Sequence, residues 1–279
     1  MGAYYCLIAG LPEISLEDKK VSYTVSDFKV ELDEVLSVQD KALVYLFFLH
    51  YDNINLLRLL KDPEALMDVR GTFTRDELSE LIQLVKEIEN PVDKRFPSYF
   101  FTFVTAFLED KPLNDSLSWE DQLASLYYEH AGQSSNKFIN QWFEMNLNIN
   151  NILAAVACRK LNRDPLSAIL GTSDISEAIR QSGQRDMGLV GLLEYLETIL
   201  RITEEKDLYL REQKLDAFRW KWLEEHAFFH VFTIEQVFAY LIKLDMIERW
   251  TSMSAEKGEA IFRSIIEQLK KEVKLPEDF

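Results

Sequence analysis

The sequence predicts an all-α fold, and three observations carry that prediction. Apolar residues recur at the three- and four-residue spacing that lines one face of a helix, and no alternating run of strand length stands out beyond the N-terminus. The 279 residues include only 9 Gly and 7 Pro, too few turns for a sandwich or barrel of short strands. Finally, one segment occurs twice. Residues 48–57 read FLHYDNINLL and residues 143–152 read FEMNLNINNI. At one constant offset they match at Phe48 and Phe143, Asn53 and Asn148, Ile54 and Ile149, and Asn55 and Asn150, with Leu57 opposite Ile152. An Asp-Pro pair follows each copy, Asp62-Pro63 and Asp164-Pro165, and aromatic residues precede each. Self-similarity of this kind marks a scaffold built from repeated helical units.

Residues 4–12 are apolar and end at Gly10-Leu11-Pro12, which predicts a short strand or an irregular buried segment. Residues 26–38 form an amphipathic helix through Phe28, Leu32, Val35 and Leu36. A long, largely buried helix follows over 37–61. Thr74 and Glu77 make a capping-box pattern in front of a helix over 74–89, whose Leu78, Leu81, Ile82, Val85 and Ile88 keep helical spacing. Pro91 and Pro97 bracket a turn before an aromatic buried helix over 99–108. Ser118 caps a helix over 119–130, and 132–135 is a break. The second copy of the long helix covers 136–161, with an interruption expected at the asparagine-rich NLNINN. Residues 171–188 hold one short helix between two loops. Further helices are expected over 189–201, 206–226, 232–253 and 254–273. Three aromatic-rich helical hairpins centre near Phe48, Phe143 and Phe229.

The apolar fraction of 47% is ample for a core. The net charge of -16 argues against nucleic-acid binding and against adsorption to anionic lipid, and suits solubility and docking onto a basic protein face. Cys6 and Cys158 sit among apolar neighbours and read as buried, reduced thiols. No signal peptide and no apolar run long enough to span a bilayer is visible.

Motifs for chemistry are missing: the glycines form neither a phosphate-cradling loop nor a nucleophile elbow. His226 and His230, four residues apart, would share a helix face and are the best metal candidates. No third ligand is near, and Phe228, Phe229 and Phe232 favour a structural role in an aromatic core. Asn148, Asn150 and Asn151 read as a helix kink or cap before a ligand site. No catalytic residue, metal or cofactor is assigned.

The arrangement resembles the C subunit of the archaeal and bacterial V-type ATPases, whose eukaryotic counterpart is the V-ATPase d subunit. In FTIEQVFAYLIKLDMIERW, Ala239, Tyr240 and Leu241 match the Ala-Tyr-Leu of that family's last repeat. In NLNINNILAAVACRKL, Arg159 stands where the family carries an arginine. The opening from Tyr4 to Pro12 resembles a divergent bacterial branch beginning YYxLIxxLP, thought to take the place of the C subunit in some V-type ATPase operons. The sequence departs from the family pattern in lacking its N-terminal arginine-containing helix and the proline near Ile234. It also carries Leu244 and Met246 where acidic residues are common.

The resemblance implies a single helical-repeat domain over 1–279, with modules at about 1–110, 111–200 and 201–279 in a funnel-like array. It implies a non-catalytic rotor adaptor that links the membrane proteolipid ring to the central stalk and transmits torque for ATP-coupled ion transport. Localisation would be cytoplasmic, peripheral to the inner face of the membrane. Asn53, Asn148, Asn150, Arg159, Gln236 and Tyr240 are the expected partner-binding residues; the competing reading is that they join the modules internally. Two other functions stand beside this one: a helical-repeat scaffold that binds partner helices or peptides, and an enzyme with an acidic or histidine-based site in a helical bundle.

Overall fold

The computed structural model describes residues 4–18, 20, 22–252 and 264–266. Among these the fold is all-helical, with eleven α-helices, one 3₁₀ turn and no strand. The helices are α1 (Tyr5–Gly10), α2 (Val25–Val35), α3 (Val38–Lys61), α4 (Arg75–Glu87), α5 (Ser98–Leu108), α6 (Trp119–Gly132), α7 (Lys137–Lys160), α8 (Asp174–Gln181), α9 (Leu196–Thr203), α10 (Leu208–Ala227) and α11 (Ile234–Ser252). The helix expected over 254–273 lies outside the described residues except for 264–266, which are helical. The chain divides into two compact units: one comprises Met1–Val35 and Glu204–Phe279, the other Leu36–Thr203.

The second unit holds α3 to α9. Ser37, Ser118, Asn136 and Ser173 each accept a backbone N–H at the start of a helix, and Thr74 and Glu77 close a complete capping box. Antiparallel packing follows from the contacts. Lys61, at the end of α3, meets Glu120 at the start of α6 at 2.5 Å. The Tyr127 hydroxyl, late in α6, donates to Leu46 O, early in α3, at 3.0 Å. α7 returns along α6 after a short turn, with the Tyr127 and Phe143 rings 5.6 Å apart. α3 and α7 therefore run in the same direction on either side of α6. α5 also runs antiparallel to α6, with Tyr99 beside His130 and Phe107 beside Trp119. The core is Phe48, Leu56, Leu78, Leu81, Phe100, Phe103, Ile139, Ile149 and Ile152, all fully buried. Each such side chain contributes about 1.5–3 kcal/mol over an exposed one.

The other unit contains α1, α2, α10 and α11. Phe28 and Leu32 of α2 and Phe238, Leu241 and Leu244 of α11 are fully buried. Val25 N donates to the Glu248 carboxylate at 2.7 Å, and Phe28 meets the Tyr240 ring edge-on at 5.2 Å.

Several expectations need correction. Residues 5–10 are helical, neither strand nor irregular, because Tyr4 and Leu7 lie one helical turn apart and both face inward. α7 is uninterrupted across NLNINN: Asn148, Asn150 and Asn151 find partners outside the helix, and Asn146 bonds the Trp142 carbonyl one turn back. The helix expected from 189 begins only at Leu196: Met187, Gly188 and Gly191 take φ of +55°, +68° and +81°, which a right-handed helix cannot contain. Cys158 is buried as expected, whereas Cys6 is exposed.

Candidate partner-docking groove

α10 and α11 form an antiparallel hairpin with a charged seam. The buried Asp216 carboxylate accepts from Trp250 Nε1 at 2.8 Å and from Arg219 at 3.1 Å, and Arg249 binds the same carboxylate. Three donors around one desolvated carboxylate are what such burial requires. Toward the turn, Lys243 binds Glu224 at 3.1 Å and lies over the Trp220 ring at 4.6 Å.

The N-terminal segment closes against this hairpin. Tyr4 N donates to Phe232 O at 3.2 Å, the Tyr5 and Phe232 rings sit 4.7 Å apart, and the Tyr240 hydroxyl donates to Pro12 O at 3.1 Å. Phe232 itself has φ +58°, a conformation costing a non-glycine residue about 1–2 kcal/mol. Phe232 N donates to Gln236 Oε1 at 2.8 Å, which helps hold the strained turn.

Between the segment and the hairpin lies a groove of about 520 Å³. Its walls are Ile8, Leu11 and Ile14 on one side and Leu223, Ala227, Phe228 and Ala239 on the other. Glu13, Glu224, Gln236, Tyr240 and Lys243 make the rim. Burial, with Glu31 nearby, pushes the Tyr240 hydroxyl up to about 12. An apolar trough with a few polar groups on its edge suits the apolar stripe of a helix. At its edge, Phe228 and its neighbour Phe229 are 71% and 88% exposed. They are therefore not the aromatic core expected around the histidines.

The six expected contact residues fall into two groups. Gln236 and Tyr240 line this groove. The other four lie in the second unit and have internal partners. Asn53 is buried and accepts from the Tyr99 hydroxyl at 2.8 Å. Asn148 is buried and donates to the Tyr195 hydroxyl at 3.3 Å. Asn150 donates to the Tyr128 hydroxyl at 2.9 Å, and Arg159 to Ser182 O at 2.8 Å. For these four the geometry is that of internal joints. Burial raises the Tyr99 hydroxyl well above the usual phenol range and Tyr195 to about 12.

The role that sequence reading missed is the clasp by which Asn55, Asn151 and Asp52 hold the loops behind the long helices. Asn55 donates to Asp68 O at 2.9 Å and accepts from Asp68 N at 2.7 Å. Asn151 makes the same two-way clasp on Leu170, at 2.9 and 2.8 Å. The sequence match sets Asn55 opposite Asn150, so the clasp is displaced by one residue in the second copy. Asp52, also buried, adds a second grip on the first loop through Thr72 N, Thr72 Oγ1 and Phe73 N at 2.7, 2.6 and 3.1 Å. A buried acid in the middle of an apolar helix was the available signal for it.

His226 and His230 do not share a helix face, because α10 ends at Ala227. His226 stacks on Trp222 at 4.0 Å, and His230 lies 3.6 Å from Glu235. Among the described residues no group of three or more His, Cys, Asp or Glu is placed to hold a metal, and no helix is long and apolar enough to cross a membrane.

Among the described residues, an all-helical fold of two compact units, with an apolar groove in one and duplicated clasps in the other, defines the structural class. The chain belongs to the family described as "Protein of unknown function (DUF2764)", which matches residues 1–273. No curated protein and no solved structure matches it.

Proposed function

We propose that this chain is a non-catalytic rotor adaptor of a V-type ATPase, joining the central stalk to the membrane proteolipid ring. The observation that carries the reading is the duplicated helical unit. Two 24-residue helices, α3 and α7, each clasp their following loop with an asparagine and bond a tyrosine hydroxyl from a later segment of the unit. That repetition is what the resemblance to the V-type C subunit leads one to expect, and three such modules in a funnel would give a stalk a socket of repeated walls. On this reading the protein lies at the inner face of the membrane and is held there by its partners.

The groove is the proposed contact for a stalk helix. Its apolar walls would take the helix's stripe, and Gln236, Tyr240, Glu13 and Glu224 would meet its polar flanks. Asn53, Asn148, Asn150 and Arg159 would support the assembly by fixing the module geometry. A force-bearing joint gains from such preformed walls, because ordering cost is not incurred on binding.

The test is capture of the separately purified stalk and proteolipid ring by the full chain. The reading expects both to co-elute, and Phe228→Asp to weaken stalk capture at least tenfold with the ring retained. Capture of neither partner by folded protein would refute the adaptor role. The alternative, a scaffold for partner helices or peptides, draws on the same groove and would survive that result.

A further inference from the structure

The groove between the N-terminal segment and the α10–α11 hairpin has two unlike ends. Tyr4 N bonds Phe232 O, and Ile8 follows one turn later in α1. Ile8, Ala227 and Phe228 therefore lie toward the hairpin turn. At the other end the Tyr240 hydroxyl bonds Pro12 O, next to Glu13, and Lys243 stands one turn beyond Tyr240 along α11. From Gln236 to Lys243 the helix rises about 10 Å, or roughly two turns. The groove has room for two turns of a helix, its apolar end at Phe228 and its polar end at Glu13.

The polar end carries an excess of negative charge. Glu13, Glu224 and Lys243 are the charged residues of the lining. Lys243 binds Glu224 at 3.1 Å, which leaves Glu13, an exposed carboxylate, with no base in the lining to match it. Glu31 brings a second carboxylate near the Tyr240 hydroxyl. Lys221, on the neighbouring turn of α10, lies 3.5 Å from Glu225. With every lysine and arginine counted as charged, Lys19, Lys20 and Lys29 included, carboxylates outnumber bases in residues 1–35 and again in 204–279.

That sign narrows the choice of occupant. It repels anionic lipid, nucleic acid and a second copy of a chain carrying -16, and it attracts a cationic side chain. The walls on two sides of the groove suit the side chains of a helix, not the flat face of a bilayer.

We propose that the groove selects its helix by charge. The segment it takes carries an apolar anchor for Ile8, Ala227 and Phe228 and, one or two turns along the same face, a lysine or arginine that pairs with Glu13. The inference rests on the groove being the stalk contact, and it adds the chemistry that the stalk helix must bring. Glu13 determines specificity more than affinity, because an exposed ion pair adds little whereas a like-charge contact is strongly disfavoured.

The probes are three synthetic helices of equal length with the same leucine stripe, flanked at both ends by lysine, glutamine or glutamate. Each is titrated into the full chain by calorimetry at low salt. The expected order of affinity is lysine, then glutamine, then glutamate. Glu13→Lys should weaken the lysine helix about tenfold and reverse the order. Asp76→Lys makes the same charge change in the other unit and should leave the order and the affinities as they are. Because Glu13→Lys gains one ligand as it loses another, its result reads a folded groove. Phe228→Asp should weaken all three helices. One affinity for all three, an order that Glu13→Lys leaves unchanged, or an equal loss in Asp76→Lys overturns the inference and leaves the groove standing as a helix site. Binding of none of the three by folded protein overturns the inference and the groove contact together, while stalk capture judges the adaptor role separately.

Discussion

The α3 loop and the α7 loop are copies of one design that differ in how many grips hold them. Each long helix offers one asparagine to both the N–H and the C=O of a loop residue. The first copy adds Asp52, which gathers three further donors from Thr72 and Phe73. In the second copy Leu147 stands opposite Asp52 and supplies no such grip, while Asn148, like Asn53, bonds a tyrosine hydroxyl. Its loop leans on Arg180 and on a 3.3 Å bond from Gly171 N to Ser125. A duplicated frame can thus keep its geometry while its anchors drift, provided that each buried backbone group still finds a partner.

The glycines in the two loops show the difference most plainly. At Gly71 an added Cβ would lie 2.7 Å from both Asn55 Nδ2 and Asp52 Oδ1, so Gly71→Ala disrupts both grips together. It should cost about 3 kcal/mol, as buried polar groups lose partners. Gly171→Ala meets Leu147 at 3.2 Å and must hold φ +75°, for about 1–2 kcal/mol. Urea unfolding of each variant gives the order; the reverse order would mean that the first clasp is not the tighter.

Removing either asparagine should cost about as much as Gly71→Ala and more than Gly171→Ala. Asn55→Ala and Asn151→Ala each leave a buried donor and acceptor unmet, about 2–4 kcal/mol. Tyr99→Phe should cost about 1 kcal/mol, because it strands the buried Asn53 carbonyl. Tyr195→Phe should cost less, since its bond is longer, 3.3 Å against 2.8 Å. Equal losses for the two tyrosines would remove this asymmetry from the comparison.

The smallest effect depends on pH. Burial lowers the His130 pKa below its ordinary 6.5, so the folded state favours the neutral ring. Between the folded and unfolded values the unfolded chain binds more protons. The His130 contribution is therefore complete above about pH 6.5 and is lost as pH falls toward the folded value. Thermal scans should show less acid destabilisation over this range in His130→Gln than in the wild type.

Most helices were legible because their signals are local. The capping box at Thr74 and Glu77 and the cap at Ser118 set helix starts within a residue or so of those observed. The match of Asn53 with Asn148 pointed to two residues that do bond tyrosine hydroxyls. The one-residue displacement of the clasp was not legible, since Asn150 and Asn151 are adjacent and only the Leu170 backbone distinguishes them. The exposure of Phe228 and Phe229 was hidden as well. Aromatic content suggests burial, but these two follow the end of α10 where the chain turns outward. The groove was half visible: Gln236 and Tyr240 could be named, whereas Ile8 and Leu11 reach it only through the fold.

Two side chains of α3, Asn55 and Asp52, grip the first loop against one of α7, Asn151, on the second, and the comparison of the copies rests on that difference. Amide hydrogen exchange on Asn55→Ala and Asn151→Ala reads it residue by residue. Asn55→Ala should expose the Asp68 amide while Thr72 and Phe73, held by Asp52, stay protected. Asn151→Ala should expose the Leu170 amide, while Gly171, whose N–H donates to Ser125, keeps more of its protection. Loss of protection at Thr72 and Phe73 in Asn55→Ala, or retained protection at Leu170 in Asn151→Ala, would contradict it.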